Sequence, residues 1–202
     1  MKITKIEAQV KTKGRYSVFV DAQFAFGLSE LGLINSGLRV GQELTGKELQ
    51  KYKEEAGLDK VYSRLLGLVA RRPRSEWELR DYLKRKKVEN EDADKLLNML
   101  SNSGFVNDQD FASRWVESRR LLKSMSKRKL SMELRQKRIS DEIINKVLAD
   151  DETNELEVLK KLVAKKRSQT RYQDNTKLMQ YLARQGFRYD DIKHVMNESD
   201  LL

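Results

Sequence analysis

Apolar positions follow two regimes along this chain. Through residue 28 they alternate: Ile6, Ala8 and Val10, then Tyr16, Val18 and Val20, then Phe24, Phe26 and Leu28, with turn signals at Lys13-Gly14 and Asp21-Ala22. A period of two puts every second side chain on one face, so these runs predict a three-stranded meander. Three short strands do not stand alone in water, and this sheet needs a helical layer against it. Ser29 to Asn35 predicts a short helix stopped near Gly37. Thr45 with Glu48 forms a capping-box signal for another helix, Lys47 to Ala56, ended by Gly57.

Beyond that point the spacing becomes helical and repeats. Leu79, Leu83 and Val88 return as Leu130, Leu134 and Ile139, and again as Leu178, Leu182 and Phe187. The downstream set Ala93, Leu96 and Leu97 returns as Ile144, Val147 and Leu148, then as Ile192, Val195 and Met196. A period near 50 residues is the mark of stacked supersecondary units. Pro73 denies Arg72 the α region and ends one helix; Ser75 with Glu78 caps the next.

The first helix of the first module carries Val61, Leu65, Leu68 and Val69 on one face, and that of the second carries Phe111, Ala112, Trp115 and Val116. Leu156, Leu159, Leu162 and Val163 do the same in the third. Gly104 closes the third helix of the first module, and Phe105-Val106 is expected to seal that layer. The predicted fold class is mainly α: three tandem three-helix modules in an elongated, curved row, preceded by a small N-terminal β-meander with short helices. The expected domains are 1–58, 59–107, 108–150 and 151–202, with nine helices after residue 58 and one sheet before it.

Composition changes this picture little, charge considerably. An apolar content of 39% beside 36% charged residues suits thin helical layers better than one thick core. A net charge of +10 calls for an acidic partner, first nucleic acid or a protein assembled on it, then an anionic membrane surface. Absence of cysteine excludes disulfides, thiolate nucleophiles and zinc–thiolate sites. No apolar run approaches the roughly 20 residues that span a bilayer, and the first residues lack a secretory stretch, so a cytoplasmic monomer without membrane contact is expected.

Cations gather in three blocks that follow the repeat. The first holds Arg71, Arg72, Arg74, Arg80, Lys84, Arg85, Lys86 and Lys87. The second holds Arg119, Arg120, Lys123, Lys127, Arg128, Lys129, Arg135, Lys137 and Arg138; the third runs from Lys160 to Arg171. Acids open each third helix instead, at Glu91 and Asp92, Asp141 and Glu142, and Asp190 and Asp191. Helix-dipole complementarity accounts for the acids. It covers the cations less well, since they run past one turn into the following loop and helix, so a binding face is the competing account. Trp77 lies about 200° from Leu79 around its helix, at roughly 100° per residue, and points off the apolar stripe. It either stacks on a base or partner pocket, or packs against the N-terminal domain. Trp115 belongs to its helix's stripe and Tyr82 to the core edge.

Catalytic chemistry finds little support. Gly41 to Glu48 fits a phosphate-loop spacing except at its last position, where Glu48 replaces the hydroxyl that would hold Mg²⁺, and the cap explains the same residues. His194, the one histidine, has no nucleophile or carboxylate in a triad pattern. No catalytic residue, cofactor or metal is expected.

The stretches Arg71-Arg-Pro-Arg-Ser-Glu-Trp-Glu-Leu-Arg-Asp-Tyr-Leu83, Gly104-Phe-Val-Asn-Asp-Gln-Asp-Phe-Ala112 and Leu134-Arg-Gln-Lys-Arg-Ile-Ser140 resemble the RecX family of recombinase regulators. The likeness is good over 59–150 and looser over 151–202. It implies a string of three-helix modules that binds the strand-exchange recombinase RecA in the groove of its DNA filament and restrains it. The alternative is direct binding of single- or double-stranded DNA by helix-turn-helix-like modules. The candidate binding residues are Arg71, Arg72, Arg74, Trp77, Arg80, Lys84, Lys87, Arg119, Arg120, Lys127, Arg128 and Arg135.

Overall fold

The computed structural model describes residues 1–199. Strands β1 (Ile3–Ala8), β2 (Arg15–Val20) and β3 (Gln23–Ser29) form an antiparallel meander in the order β1-β2-β3. The β2–β3 turn is tight because Asp21 and Ala22 both adopt the left-handed region, at φ 49° and 65°. Val18, Val20, Phe26 and Leu28 face inward and share a core with Ile3, Leu38, Leu44 and Ala56. The alternation in the first strand was placed too far along. A register shift between Ile3 and Lys5 makes Ile3 the buried residue, and Val10 lies outside the strand with 98% of its surface exposed.

Helix α1 (Glu30–Ser36) is capped by the Ser29 hydroxyl, which accepts from Gly32 N–H, and stops at Gly37 with φ 64°. Helix α2 (Gly46–Arg71) corrects the expected break at Gly57: it is one helix of 26 residues that runs through Gly57 and across the anticipated 58/59 boundary. Its reciprocal Thr45–Glu48 capping box is present, and it leaves the α region at Arg72, before Pro73. Glycine inside a helix costs about 1 kcal/mol, a sum that packing overrides. Here Tyr52 stacks on Phe26 and Ala56 is buried with the sheet before the glycine, while Asp59 accepts from Ser29 N–H and Ser63 from Arg15 after it, so the sheet side of α2 continues through Gly57.

The later helices are α3 (Glu76–Arg85), α4 (Asn90–Asn102), α5 (Asp108–Leu122), α6 (Lys127–Gln136), α7 (Asp141–Ala149), α8 (Glu155–Arg167), α9 (Asn175–Arg184) and α10 (Tyr189–Ser199), with a 3₁₀ turn at Thr170–Tyr172. No strand occurs after β3 among the described residues. All nine repeat positions of the Leu-Leu-apolar triplets are buried except Val88, which is half-buried. Phe111, Val116, Leu130, Leu134, Ile139 and Ile144 are members of one cluster. Leu159, Val163, Leu178, Leu182, Phe187 and Ile192 are members of another. Of the expected inward residues, Leu156 and Phe105 are exposed, whereas Val106 is buried.

The third member of each triplet has a local cause. Lys87, Arg138 and Gly186 follow Leu83, Leu134 and Leu182 by four residues, and all three adopt left-handed φ, at 57°, 59° and 89°. The N–H of Val88 then returns to Leu83 O, and that of Ile139 to Leu134 O, each at 3.2 Å. This is the Schellman closure, whose next residue folds an apolar side chain back on the helix. The chain divides into two compact units, Met1–Pro73 with Tyr82–Phe105, and Arg74–Asp81 with Val106 onward.

Candidate binding face of the helical modules

The middle helices of the first two modules, α3 and α6, each begin on a serine that makes two bonds, whereas α9 begins on Asp174. Ser75 Oγ accepts the Glu78 N–H at 3.3 Å and donates to the Lys137 carbonyl at 3.1 Å. Ser126 Oγ accepts the Lys129 N–H at 3.1 Å and donates to the Gln185 carbonyl at 3.0 Å. Both serines are fully buried, and both acceptors lie three residues past the second leucine of the following module. The next N–H is matched too: Glu76 N–H donates to Asp108 Oδ1 at 2.8 Å, and Lys127 N–H to Glu155 Oε1 at 3.0 Å. A carboxylate at the start of one module's first helix thus satisfies an orphan donor of the preceding module. Burial is the largest influence on Asp108 and pushes its pKa up, despite the Glu76 N–H.

Several of the candidate cations are spent in contacts within the fold. Arg119 Nε meets Glu133 Oε2 at 2.7 Å, and its guanidinium lies 4.1 Å from the centre of the Trp115 ring. Trp115 Nε1 donates to the same carboxylate at 3.0 Å, and Lys137 Nζ lies 5.3 Å from that ring and 2.8 Å from Glu78 Oε1. Arg120 pairs with Asp151 at 2.6 Å, the two side chains retaining only 12% and 8% of their surface. Burial works to raise the Asp151 pKa, but hydrogen bonds from Thr153 and Arg120 outweigh it and hold the group below its ordinary value. Lys127 Nζ donates to the carbonyls of Leu148 and Asp151, at 3.0 and 2.6 Å, closing the end of α7. Arg119, Arg120 and Lys127 therefore fasten the fold.

The other candidates stand differently. Arg80 pairs with Glu76 at 3.0 Å and Arg135 with Asp141 at 2.8 Å, both at the surface. Exposed pairs of this kind hold their side chains weakly, at about 0–1 kcal/mol, and can be exchanged for a partner's anion. Arg72 donates to Pro73 O, and Arg74 is half-buried. Arg71, Lys84, Lys87 and Arg128 are exposed and have no ion pair among the described residues. Arg128 and Arg135 lie seven residues apart on α6, both exposed, which places them on one face. Trp77, in the first turn of α3, keeps 41% of its surface exposed.

An apolar feature that periodicity did not single out joins this list. Leu121 and Leu122 end α5 with 80% and 76% of their surface exposed. They border a cleft of about 460 Å³ that Lys123, Lys129, Lys165 and Lys166 also line. The sequence carried no clear signal for it, since neighbouring apolar residues of a helix are buried together elsewhere in the chain, as Leu96 and Leu97 are. The joint residues Glu133, Asp151 and Glu155 were missed because their partners sit 14 to 31 residues away.

The phosphate-loop spacing resolves into the cap. Glu48 Oε2 accepts from Thr45 N–H and Oγ1 at 2.8 Å, and these bonds hold its pKa low, leaving an anion where a phosphate would sit. His194 is exposed beside Glu198 at 3.2 Å. No metal-ligating cluster occurs among the described residues. No helix among them is long and apolar enough to cross a membrane.

Comparison with known proteins covers most of the chain. The regulatory protein RecX N-terminal domain matches residues 1–45, and the first, second and third three-helix domains of RecX match 62–100, 107–148 and 153–196. The regulatory protein RecX of Clostridium botulinum (strain Eklund 17B / Type B) is 29% identical, over 98% of this chain and 96% of its own. That of Listeria monocytogenes serotype 4a (strain HCC23) is 34% identical over 59% of this chain, a match spanning 44% of the relative's length. A crystal structure of regulatory protein RecX superposes with a TM-score of 0.74 at 29% identity, covering 97% of this chain and 98% of the other. The crystal structure of RecX from Lactobacillus salivarius shares the fold, with a TM-score of 0.61 at 22% identity, over 72% of this chain and 97% of that one.

Proposed function

The chain belongs to the RecX family, and on that premise we propose that it is a non-catalytic regulator that binds the RecA recombinase filament on DNA. Binding restrains the filament's ATP hydrolysis, strand exchange and coprotease activity, a role in recombinational DNA repair and the SOS response in the cytoplasm. The protein acts as a monomer, and each of its modules, 59–107, 108–150 and 151–202, contributes cations to binding.

The observation that carries this reading is the combination of unpaired cations with the Leu121–Leu122 pair. Naked DNA offers phosphates to Arg71, Lys84, Lys87 and Arg128, but nothing to two neighbouring exposed leucines. A protein–DNA filament offers both, acidic groups for the cations and a pocket for the leucines. The Arg80–Glu76 and Arg135–Asp141 pairs open at little expense on binding.

Titrating the protein into RecA hydrolysing ATP on single-stranded DNA should lower the rate to a plateau. No change at saturating protein contradicts the proposal. Direct DNA binding is the second reading, favoured by the same unpaired cations and by exposed Trp77. It predicts an affinity for bare DNA that falls linearly on a log–log plot against salt, by about 0.7 to 0.9 per phosphate neutralised.

A further inference from the structure

The N-terminal domain carries a second basic cleft, of about 530 Å³, between the sheet and α2. Arg15, Phe24, Lys60, Ser63, Arg64 and Gln9 line it, and among the described residues no carboxylate does. Its geometry is built. Arg15 is held at three points, donating to Gly27 O at 2.9 Å and to Ser63 Oγ at 3.3 Å, and meeting Asp59 Oδ2 at 3.2 Å. With Asp59 balancing Arg15, the cleft's uncompensated charge comes from Lys60 and Arg64. These lie one turn apart on α2, exposed, with no ion pair among the described residues.

The sheet side is equally particular. Phe24 has 61% of its surface in solvent, on a strand whose other phenylalanine, Phe26, is buried. It stands edge-on to Phe19, ring centres 6.0 Å apart, and Lys5 Nζ lies 5.7 Å from the Phe19 ring. Gly27 keeps the cleft open: a Cβ there would fall 2.9 Å from Gln9 Nε2 and 3.4 Å from Tyr16 O. What comes close to the backbone at this glycine is the chain's own Gln9, which is thereby seated in the cleft wall.

An exposed aromatic face beside two spaced cations suits a flexible strand whose bases are free to stack and whose phosphates are free to bend towards the helix. Duplex nucleic acid keeps its bases paired, and an acidic peptide meets the cations but brings no planar base to lie on the ring. We propose that this cleft binds single-stranded nucleic acid, one base stacking on Phe24 and the adjoining phosphates meeting Lys60 and Arg64. The site shares no residue with the candidate cations of the modules and does not depend on a recombinase.

The test uses the full chain and labelled oligo(dT), oligo(U) and a duplex, followed by fluorescence anisotropy. Phe24→Ala should weaken single-strand binding about tenfold, within the roughly 1–3 kcal/mol that one stacked base contributes, and leave duplex binding unchanged. Phe24→Tyr should restore it. Lys60→Glu with Arg64→Glu should flatten the log–log salt slope by about 1.4, at about 0.7 per phosphate for single strands. Unchanged thermal melting shows that each variant is folded, as their exposure predicts. An iodouracil-substituted strand should photo-crosslink to the peptide containing Phe24. The oligonucleotide bound more tightly identifies the natural strand as DNA or RNA. Wild-type affinity and slope in both variants, equal loss on single strand and duplex for Phe24→Ala, or crosslinks confined to residues 74–199 would each overturn the proposal.

Discussion

The two module joints use one plan with different materials. At the first, Ser75 and Glu76 engage Lys137 and Asp108; at the second, Ser126 and Lys127 engage Gln185 and Glu155. The backbone-directed bonds repeat, while the side chains around them do not. The first joint adds a Lys137–Glu78 ion pair and turns on Arg138 in left-handed conformation. The second turns on Gly186, where a Cβ would press on Ser126 Oγ and lie 3.0 Å from Lys129 N. Capping thus defines the repeat, and each joint is free to trade ionic contact against closeness of approach.

The largest break in that comparison should come at the tighter joint. Gly186→Ala forces a side chain into both a left-handed φ and the Lys129 backbone, and should cost about 2–4 kcal/mol in a denaturant titration. Arg138→Gly at the equivalent position should cost nothing or stabilise by up to about 1 kcal/mol, since only the strain is removed. Equal effects at the two sites would mean the joints pack alike.

Next come the serines. Ser75→Ala removes a cap and the hydroxyl that serves Lys137 O, a loss of about 2 kcal/mol. Ser126→Ala should cost nearer 1 kcal/mol, because Gln185 O keeps the Ser126 N–H at 3.2 Å. Urea unfolding of the pair distinguishes them; a reversed order would show that the Gln185 bond to nitrogen carries no weight.

The smallest effects appear in pH. Asp151 has a lowered folded pKa, so its contribution is complete above the ordinary carboxylate value near 4 and is lost as pH falls through the lower folded value. Asp108 has a raised folded pKa, so its ionisation costs stability as pH rises from near 4 through the raised value. Asp108→Asn should therefore raise the melting temperature at pH 7 and have no such benefit at pH 3, while Asp151→Asn should lower it at pH 7. Melting curves across that range would reveal an opposite sign.

Much of this architecture was legible in the chain. Period and caps located the modules because each depends on residues within one helical turn, as at Thr45–Glu48 and Ser126. The Gly57 break was misread because the local penalty of glycine is smaller than what the sheet recovers from a continuous α2. A chain beginning at Asp59, which the repeat alone would suggest, starts in the middle of that helix. The candidate cations were legible as charge but not as free charge. Arg119, Arg120 and Lys127 look like Arg128 in sequence, and only the distant Glu133, Asp151 and Leu148 show that they are occupied.

That separation can be measured directly. Lys84→Glu, Lys87→Glu and Arg128→Glu combined remove exposed cations without touching a joint, so the melting temperature should stay nearly unchanged, each charge contributing only about 0–1 kcal/mol. Titrated into RecA hydrolysing ATP on single-stranded DNA, this variant should lose most of its inhibition relative to the unaltered chain. Full inhibition by the folded variant would contradict the account and return these cations to the role of a solvated face.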